Sequence, residues 1–113
     1  MGEMSRPGEA LHNVDAEEFS RLMTELSDAE VIDVRTYPEF SVGHLEGAQL
    51  YDVMEADWAE RIAGLDREKP YLVYCRSGSR SYHAGLHMQD SGFREVYNLA
   101  GGIISWTGVI VND

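Results

Sequence analysis

The stretch YLVYCRSGSRSYHAG, residues 71–85, decides how the rest of the chain is read. Tyr71 to Cys75 is a short, unbroken apolar run of the kind that fills a fully buried strand. The composition then changes abruptly: Arg76, Ser77, Gly78, Ser79 and Arg80 are basic, small or polar. SRSYHAGLHMQDSG, residues 79–92, reads as a helix with Ala84, Gly85 and Met88 on one face and Gly92 as its C-terminal stop. Strand, tight turn and helix in that order leave Cys75, the chain's single cysteine, at the carboxyl end of the strand. Loop N–H groups and a helix N-terminus converge on such a point, which suits anions and favours a thiolate. A free thiol with a pKa of ~8.5 is only ~3 % ionised at pH 7, and a drop of ~2 units makes it mostly thiolate. Arg76 and Arg80 add fixed positive charge, and Gly78 lets the loop turn with its amide presented. A lone cysteine ending a buried strand is ordinarily just a small core residue. A core position, however, does not call for a basic, glycine-bearing turn directly behind it.

Outward from this unit, strands and helices alternate. Asn13-Val14 reads as a short strand. DAEE, residues 15–18, resembles a capping box ahead of Phe19, Leu22, Met23 and Leu26 at helical spacing. VIDV, 31–34, is a second buried-type strand, followed by a Tyr37-Pro38 turn. Residues 48–51 make a further strand, and ADWAERIAGL, 56–65, a helix carrying Trp58, Ile62 and Leu65 on one side. EVYN, 95–98, is the next strand, and Gly101-Gly102 opens a last short helix with Ile103 and Trp106 three apart. This order predicts an α/β fold with a parallel sheet covered by helices on both faces. Ligands then gather beyond the carboxyl ends of the strands, which is where Cys75 lies.

The bulk properties narrow the function. At 113 residues the chain makes one small domain. Residues 1–10, MGEMSRPGEA, read as a disordered lead-in rather than a secretory signal, and 11–113 as the domain. No apolar run approaches the ~20 residues of a membrane span. A single cysteine excludes an internal disulfide, which predicts a cytoplasmic setting. The net charge of −11 is carried entirely by residues 1–69, with 17 acidic against 6 basic side chains, while residues 70–113 are balanced at 3 against 3. Nucleic acid is thereby disfavoured as a partner, whereas a small anion can still bind beside a local arginine pair, since salt screens distant charges over ~8–10 Å.

Three chemistries place a cysteine in an anion-cradling loop. Tyrosine phosphatases separate cysteine from arginine by five residues, but only four lie between Cys75 and Arg80, and Ser81 occupies the place of the phosphatase arginine. Arsenate reduction calls for a resolving thiol, which the chain lacks. Sulfur transfer through a persulfide needs one cysteine and a smaller cradle. No His/Cys cluster has metal-ligand spacing, and the chemistry asks for no cofactor.

The motifs together resemble the single-domain rhodanese family of sulfurtransferases. VIDVR (31–35) with Pro38-Glu39-Phe40, GHLEGA (43–48), YCRSGSRS (74–81) and SGFREVYNLAGGIISW (91–106) stand in family order over Val31 to Trp106. The resemblance implies a three-layer α/β/α fold with a five-stranded parallel sheet. It implies Cys75 as the persulfide-carrying nucleophile, cradled by the amides of Arg76, Ser77, Gly78, Ser79 and Arg80. It also implies thiosulfate as the anionic donor, since a basic residue follows the cysteine, and a thiol, a protein or, in the test tube, cyanide as acceptor. A persulfide carrier serving one protein partner is the alternative, with a phosphatase or arsenate reductase on the same fold behind it.

Other polar residues read less sharply. Asp33 and Arg35 end a strand on the ligand side of the sheet. Either they line the pocket, or Arg35 pairs with Glu39 to hold the 36–43 loop while Asp33 holds backbone or Arg80. His44 reads as structural, bonding backbone in its turn; His83 as solvent-facing; His12 and His87 as surface residues. Trp58 and Trp106 read as core or pocket wall.

Overall fold

The computed structural model describes residues 10–113. The expected lead-in therefore lies, but for Ala10, outside the described residues. Ala10 itself is buried, and its N–H donates to Gln89 Oε1.

Strands β1 (Leu11–Val14), β2 (Glu30–Asp33), β4 (Gln49–Leu50), β5 (Pro70–Tyr74) and β6 (Glu95–Leu99) form one parallel sheet in the order β1-β6-β5-β2-β4. A separate antiparallel pair joins β3 (His44–Leu45) to β7 (Ile110–Val111). Four helices connect them: α1 (Ala16–Glu25), α2 (Tyr37–Val42), α3 (Trp58–Ala63) and α4 (Ser79–Asp90), with a 3₁₀ turn at Ile103–Ser105. The α/β class and the parallel sheet are as the sequence pattern predicts, and the five strands are as the family resemblance implies.

The sheet sorts its side chains by parity, because successive strand residues face opposite sides. On one face Tyr71, Val73 and Cys75 of β5 and its end pack with Val96 of β6 against Ala84 and Met88 of α4 and Trp58 and Ile62 of α3. On the other, Leu72, Tyr74 and Leu99 pack with Phe19 and Leu22 of α1, flanked by Phe40 and Trp106. β5 is buried at all five positions, as expected of a central parallel strand. α4 lies close to β1 at Gly85, where a Cβ would meet the tip of the Leu11 side chain at 2.7 Å.

Two local readings are corrected. The Tyr37-Pro38 turn is the first turn of helix α2, with Pro38 at its start, where the missing N–H costs nothing. Glu39 Oε1 accepts the Thr36 N–H at 3.0 Å and so closes the helix entrance. The β3–β7 pair was not expected, since two-residue strands carry too little periodicity to show. The DAEE segment does start α1: Asp15 Oδ1 accepts the Glu18 N–H at 2.9 Å.

Candidate active site

Chain geometry places the sulfur. β5 ends at Tyr74, and strand parity sends Cys75 to the α4 face of the sheet, where it is 1 % exposed. The turn back into α4 runs through Gly78, whose φ of 105° lies in the left-handed region. A Cβ there would run into the Ala100 carbonyl, so glycine is required by conformation and by space alike. Gly102, with φ 68°, plays the matching part opposite, since a Cβ on it would collide with the Arg76 carbonyl. The two backbones then meet: Ile103 N–H donates to Cys75 O at 2.9 Å and Ile104 N–H to Arg76 O at 3.2 Å. Of the expected Gly101-Gly102 close approach, Gly102 makes the contact with the loop, while Gly101 faces Ser105.

Three donors reach Cys75 Sγ: the Gly78 N–H at 3.1 Å, the Ser81 N–H at 3.4 Å and the Ser81 hydroxyl at 3.3 Å. Burial pushes the thiol pKa up, while the Ser81 hydroxyl and the amides of Ser81, Gly78 and Ser77 push it down. The donors prevail, and the thiol lies below its ordinary value. The sulfur is walled by hydrocarbon on the core side and by N–H and O–H groups on the loop side. That combination suits a stabilised nucleophile more than a core filler.

Comparison with known proteins places the chain in a family. The rhodanese-like domain family matches residues 15–108. The chain belongs to that family. It is 35 % identical over 98 residues to the thiosulfate sulfurtransferase GlpE of Pseudomonas aeruginosa, covering 87 % of this chain and 86 % of that one. To a sulfurtransferase of Allochromatium vinosum it is 30 % identical over 96 residues, covering 85 % and 88 %. Among solved structures, a rhodanese-related protein of Thermoplasma volcanium superposes with a TM-score of 0.75 at 26 % identity, covering 90 % of this chain and 99 % of that one. The polysulfide-sulfur transferase of Wolinella succinogenes superposes with 0.70 at 28 % identity, covering 85 % and 72 %.

Within this rhodanese domain the two loop arginines differ. Arg80 makes a two-pronged bridge to Glu39 of α2, Nη1–Oε1 and Nη2–Oε2 both at 3.0 Å. The Arg80 bridge pulls the Glu39 carboxyl down to about 2, against the opposing pull of its partial burial. Arg80 thus ties the loop to α2. Arg76 is exposed and has no ion-pair partner among the described residues. Of the loop positions 76–80, only the Gly78 amide bonds the sulfur; the Ser77 amide lowers the thiol pKa without such a bond, and no bond from the amides of Arg76, Ser79 or Arg80 reaches it.

The expected pairing of Arg35 with Glu39 is corrected. Asp33, fully buried, takes the Arg35 guanidinium in a fork, with Nε–Oδ1 at 2.9 Å and Nη2–Oδ2 at 2.6 Å, and also accepts the Arg35 N–H. Arg35 Nη2 goes on to the Gly43 carbonyl at 2.7 Å, so it does hold the 36–43 segment, through backbone. Glu39 goes to Arg80 instead because α2 turns it towards α4. At 6 % exposure Arg35 is packed into the fold and offers no open pocket wall.

His44 is structural as expected, its Nδ1 2.9 Å from the Phe40 carbonyl and its ring stacked on Phe40. His83 Nδ1 lies 3.0 Å from Ser79 O on the helix exterior, and Trp58 is core. Ser81 and Asn98 were missed. Ser81 is fully buried and Asn98 1 % exposed, and Ser81 Oγ lies 2.6 Å from Asn98 Oδ1. A signal existed for Asn98: it shares strand parity with buried Val96, so a polar side chain stands on the core face of β6. Among the described residues no helix is long and apolar enough to cross a membrane.

Proposed function

We propose that the protein is a thiosulfate sulfurtransferase that carries sulfane sulfur as a persulfide on Cys75. The observation that carries the reading is the convergence of three donors on one buried, otherwise hydrocarbon-walled sulfur. The thiolate attacks the outer sulfur of thiosulfate; a new S–S bond forms, the S–SO₃ bond breaks, and sulfite leaves with the electron pair. Charge balances, since thiolate and thiosulfate become anionic persulfide and sulfite. A thiophilic acceptor, either a thiol or a sulfur-accepting protein, then takes the terminal sulfur and regenerates the thiolate in a double displacement.

Arg76 is the loop cation without a partner among the described residues, so it is the group to hold the sulfonate of the donor and the departing sulfite. Arg80 is committed to Glu39 and serves the shape of the loop. A phosphate ester fits less well, because the loop has four residues between Cys75 and Arg80 and its guanidinium is turned outward to α2.

The test is intact-mass spectrometry after incubation with thiosulfate, mercaptopyruvate or an aryl phosphate, with released sulfite or phosphate assayed in parallel. Thiosulfate is expected to add about one sulfur atom (~32 Da, the persulfide of a covalent intermediate) and to release sulfite. Phosphate release without sulfur loading would overturn the proposal.

A further inference from the structure

We infer that Asn98 is a positioning residue that holds the Ser81 hydroxyl proton when Cys75 carries a persulfide and yields it when Cys75 is a thiolate. The inference starts from proton counting. Ser81 Oγ sits 2.6 Å from Asn98 Oδ1 and 3.3 Å from Cys75 Sγ, and a hydroxyl has one proton. It can give a full, well-aligned bond to only one acceptor at a time.

The orientation of the Asn98 amide is settled by its neighbours. Its Nδ2 faces the Gly78 carbonyl at 3.2 Å, which can only accept, and Asn13 Oδ1 at 2.9 Å. The oxygen must therefore face Ser81, and an amide oxygen can only accept. With Cys75 neutral, the Ser81 proton goes to Asn98, the shorter contact. A thiolate is the stronger acceptor, and it draws that proton at the cost of leaving Asn98 Oδ1 unpartnered in a buried site. Once the negative charge has moved to the outer sulfur of a persulfide, Sγ becomes a weak acceptor and the proton returns to Asn98. Asn98 thus favours the loaded state over the free thiolate.

The catalytic meaning rests on the sulfur-transfer reading, but the sharing of the proton does not. Removing the Asn98 amide strands nothing else: Gly78 O keeps the Tyr82 N–H at 3.1 Å, and Asn13 is exposed. Among the described residues, the charged groups that bear on the sulfur are Arg80 of α4, which interacts with Cys75, Glu39 of α2 and Asp33, and the Asp33–Arg35 pair at the end of β2; the loop also carries Arg76, and β6 contributes the neutral Asn98. All of them stay in the variants below.

Cys75 is the only cysteine, so its alkylation rate by iodoacetamide against pH reads its ionisation directly. Ser81→Ala should raise the midpoint by about one unit, the loss of one donor to a charged sulfur. Asn98→Leu should lower it by about half a unit, by freeing the same proton for the sulfur. In a Ser81→Ala background the Asn98 substitution should no longer lower it. A purely structural Asn98 would instead loosen the donors and raise the midpoint in both backgrounds, and that result would overturn the inference. Asn98→Ala is read in the same way should Asn98→Leu fail to fold. If neither folds, an unchanged midpoint in Ser81→Ala overturns the inference. With thiosulfate and sulfite both present, persulfide occupancy in Asn98→Leu should show a loading constant about 3-fold lower, the same half unit read as an equilibrium. Absence of loading in the wild type alongside the predicted midpoints would sink the sulfur-transfer reading and leave the proton sharing intact.

Discussion

The ends of β5 and β2 lie side by side at the centre of the sheet, both buried and both polar, yet they are built to opposite purposes. At the end of β2 the polar groups are turned on one another. The Arg35 guanidinium is closed on Asp33 and on the Gly43 carbonyl, and Asp33 also accepts the Arg35 N–H. At the end of β5 three donors aim at one thiol sulfur, and Arg76 of the loop that follows has no ion-pair partner among the described residues. Burial and charge alone therefore do not distinguish a site from a brace. The distinction is whether the hydrogen-bonding capacity is consumed internally or gathered on an atom that can react.

The difference is most sharply broken at its centre. Cys75→Ser keeps the volume and the loop but should abolish sulfur loading altogether, seen as no mass gain after thiosulfate; a serine variant that still gains mass would place the nucleophile elsewhere. The β2 side should fail in stability rather than chemistry. Asp33→Ala leaves Arg35 as an uncompensated buried charge and should cost about 3–5 kcal/mol in urea unfolding. Replacing both partners by apolar residues of similar volume should recover most of that loss. A destabilisation no larger than that of an exposed pair, ~0–1 kcal/mol, would show the pair to be ordinary.

Smaller effects sharpen the contrast between the two arginines of the loop. Arg76→Ala should raise KM for thiosulfate several-fold with kcat little changed, the mark of lost ground-state anion binding, and leave the unfolding midpoint in place. A collapse of kcat at constant KM would move Arg76 into transition-state stabilisation instead. The Arg80–Glu39 bridge should show itself weakly in pH. The folded Glu39 carboxyl, at about 2, lies below its ordinary 4.5, so its contribution is present above pH 4.5 and is lost as pH falls towards 2. The stability gap between wild type and Glu39→Gln, measured in urea, should accordingly shrink across that window. A gap constant from pH 7 to 2 would mean that the carboxylate charge is not what holds α2 to α4.

Legibility followed the range of the interactions. The strand at 71–75, the helix behind it and the alternation of elements were readable because hydrophobic period and turn chemistry are local. Helix α2 was read as a turn because Pro38 marks a helix start as readily as a bend, and only the Glu39 contact to the Thr36 N–H distinguishes them. Pairing went astray in the same way. Arg35 has an acidic neighbour two residues before it and another four after it, and nothing in the spacing says which one the fold will bring within reach.

By itself the amino-acid order determined an α/β chain whose one cysteine closes a buried strand and opens onto a glycine turn. Those properties are written in residues adjacent along the backbone. What the tertiary structure alone decided was the company that the sulfur keeps. Ser81 turns inward onto Cys75 because α4 packs down on the sheet. Asn98 comes beneath it because β6 pairs with β5 in a register that sets Asn98 beside Val73, two residues short of Cys75. Gly102 admits the Arg76 carbonyl from a segment some 26 positions away. Contacts of that kind depend on sheet order and helix packing, and a linear pattern does not encode which distant side chain will share a proton with which.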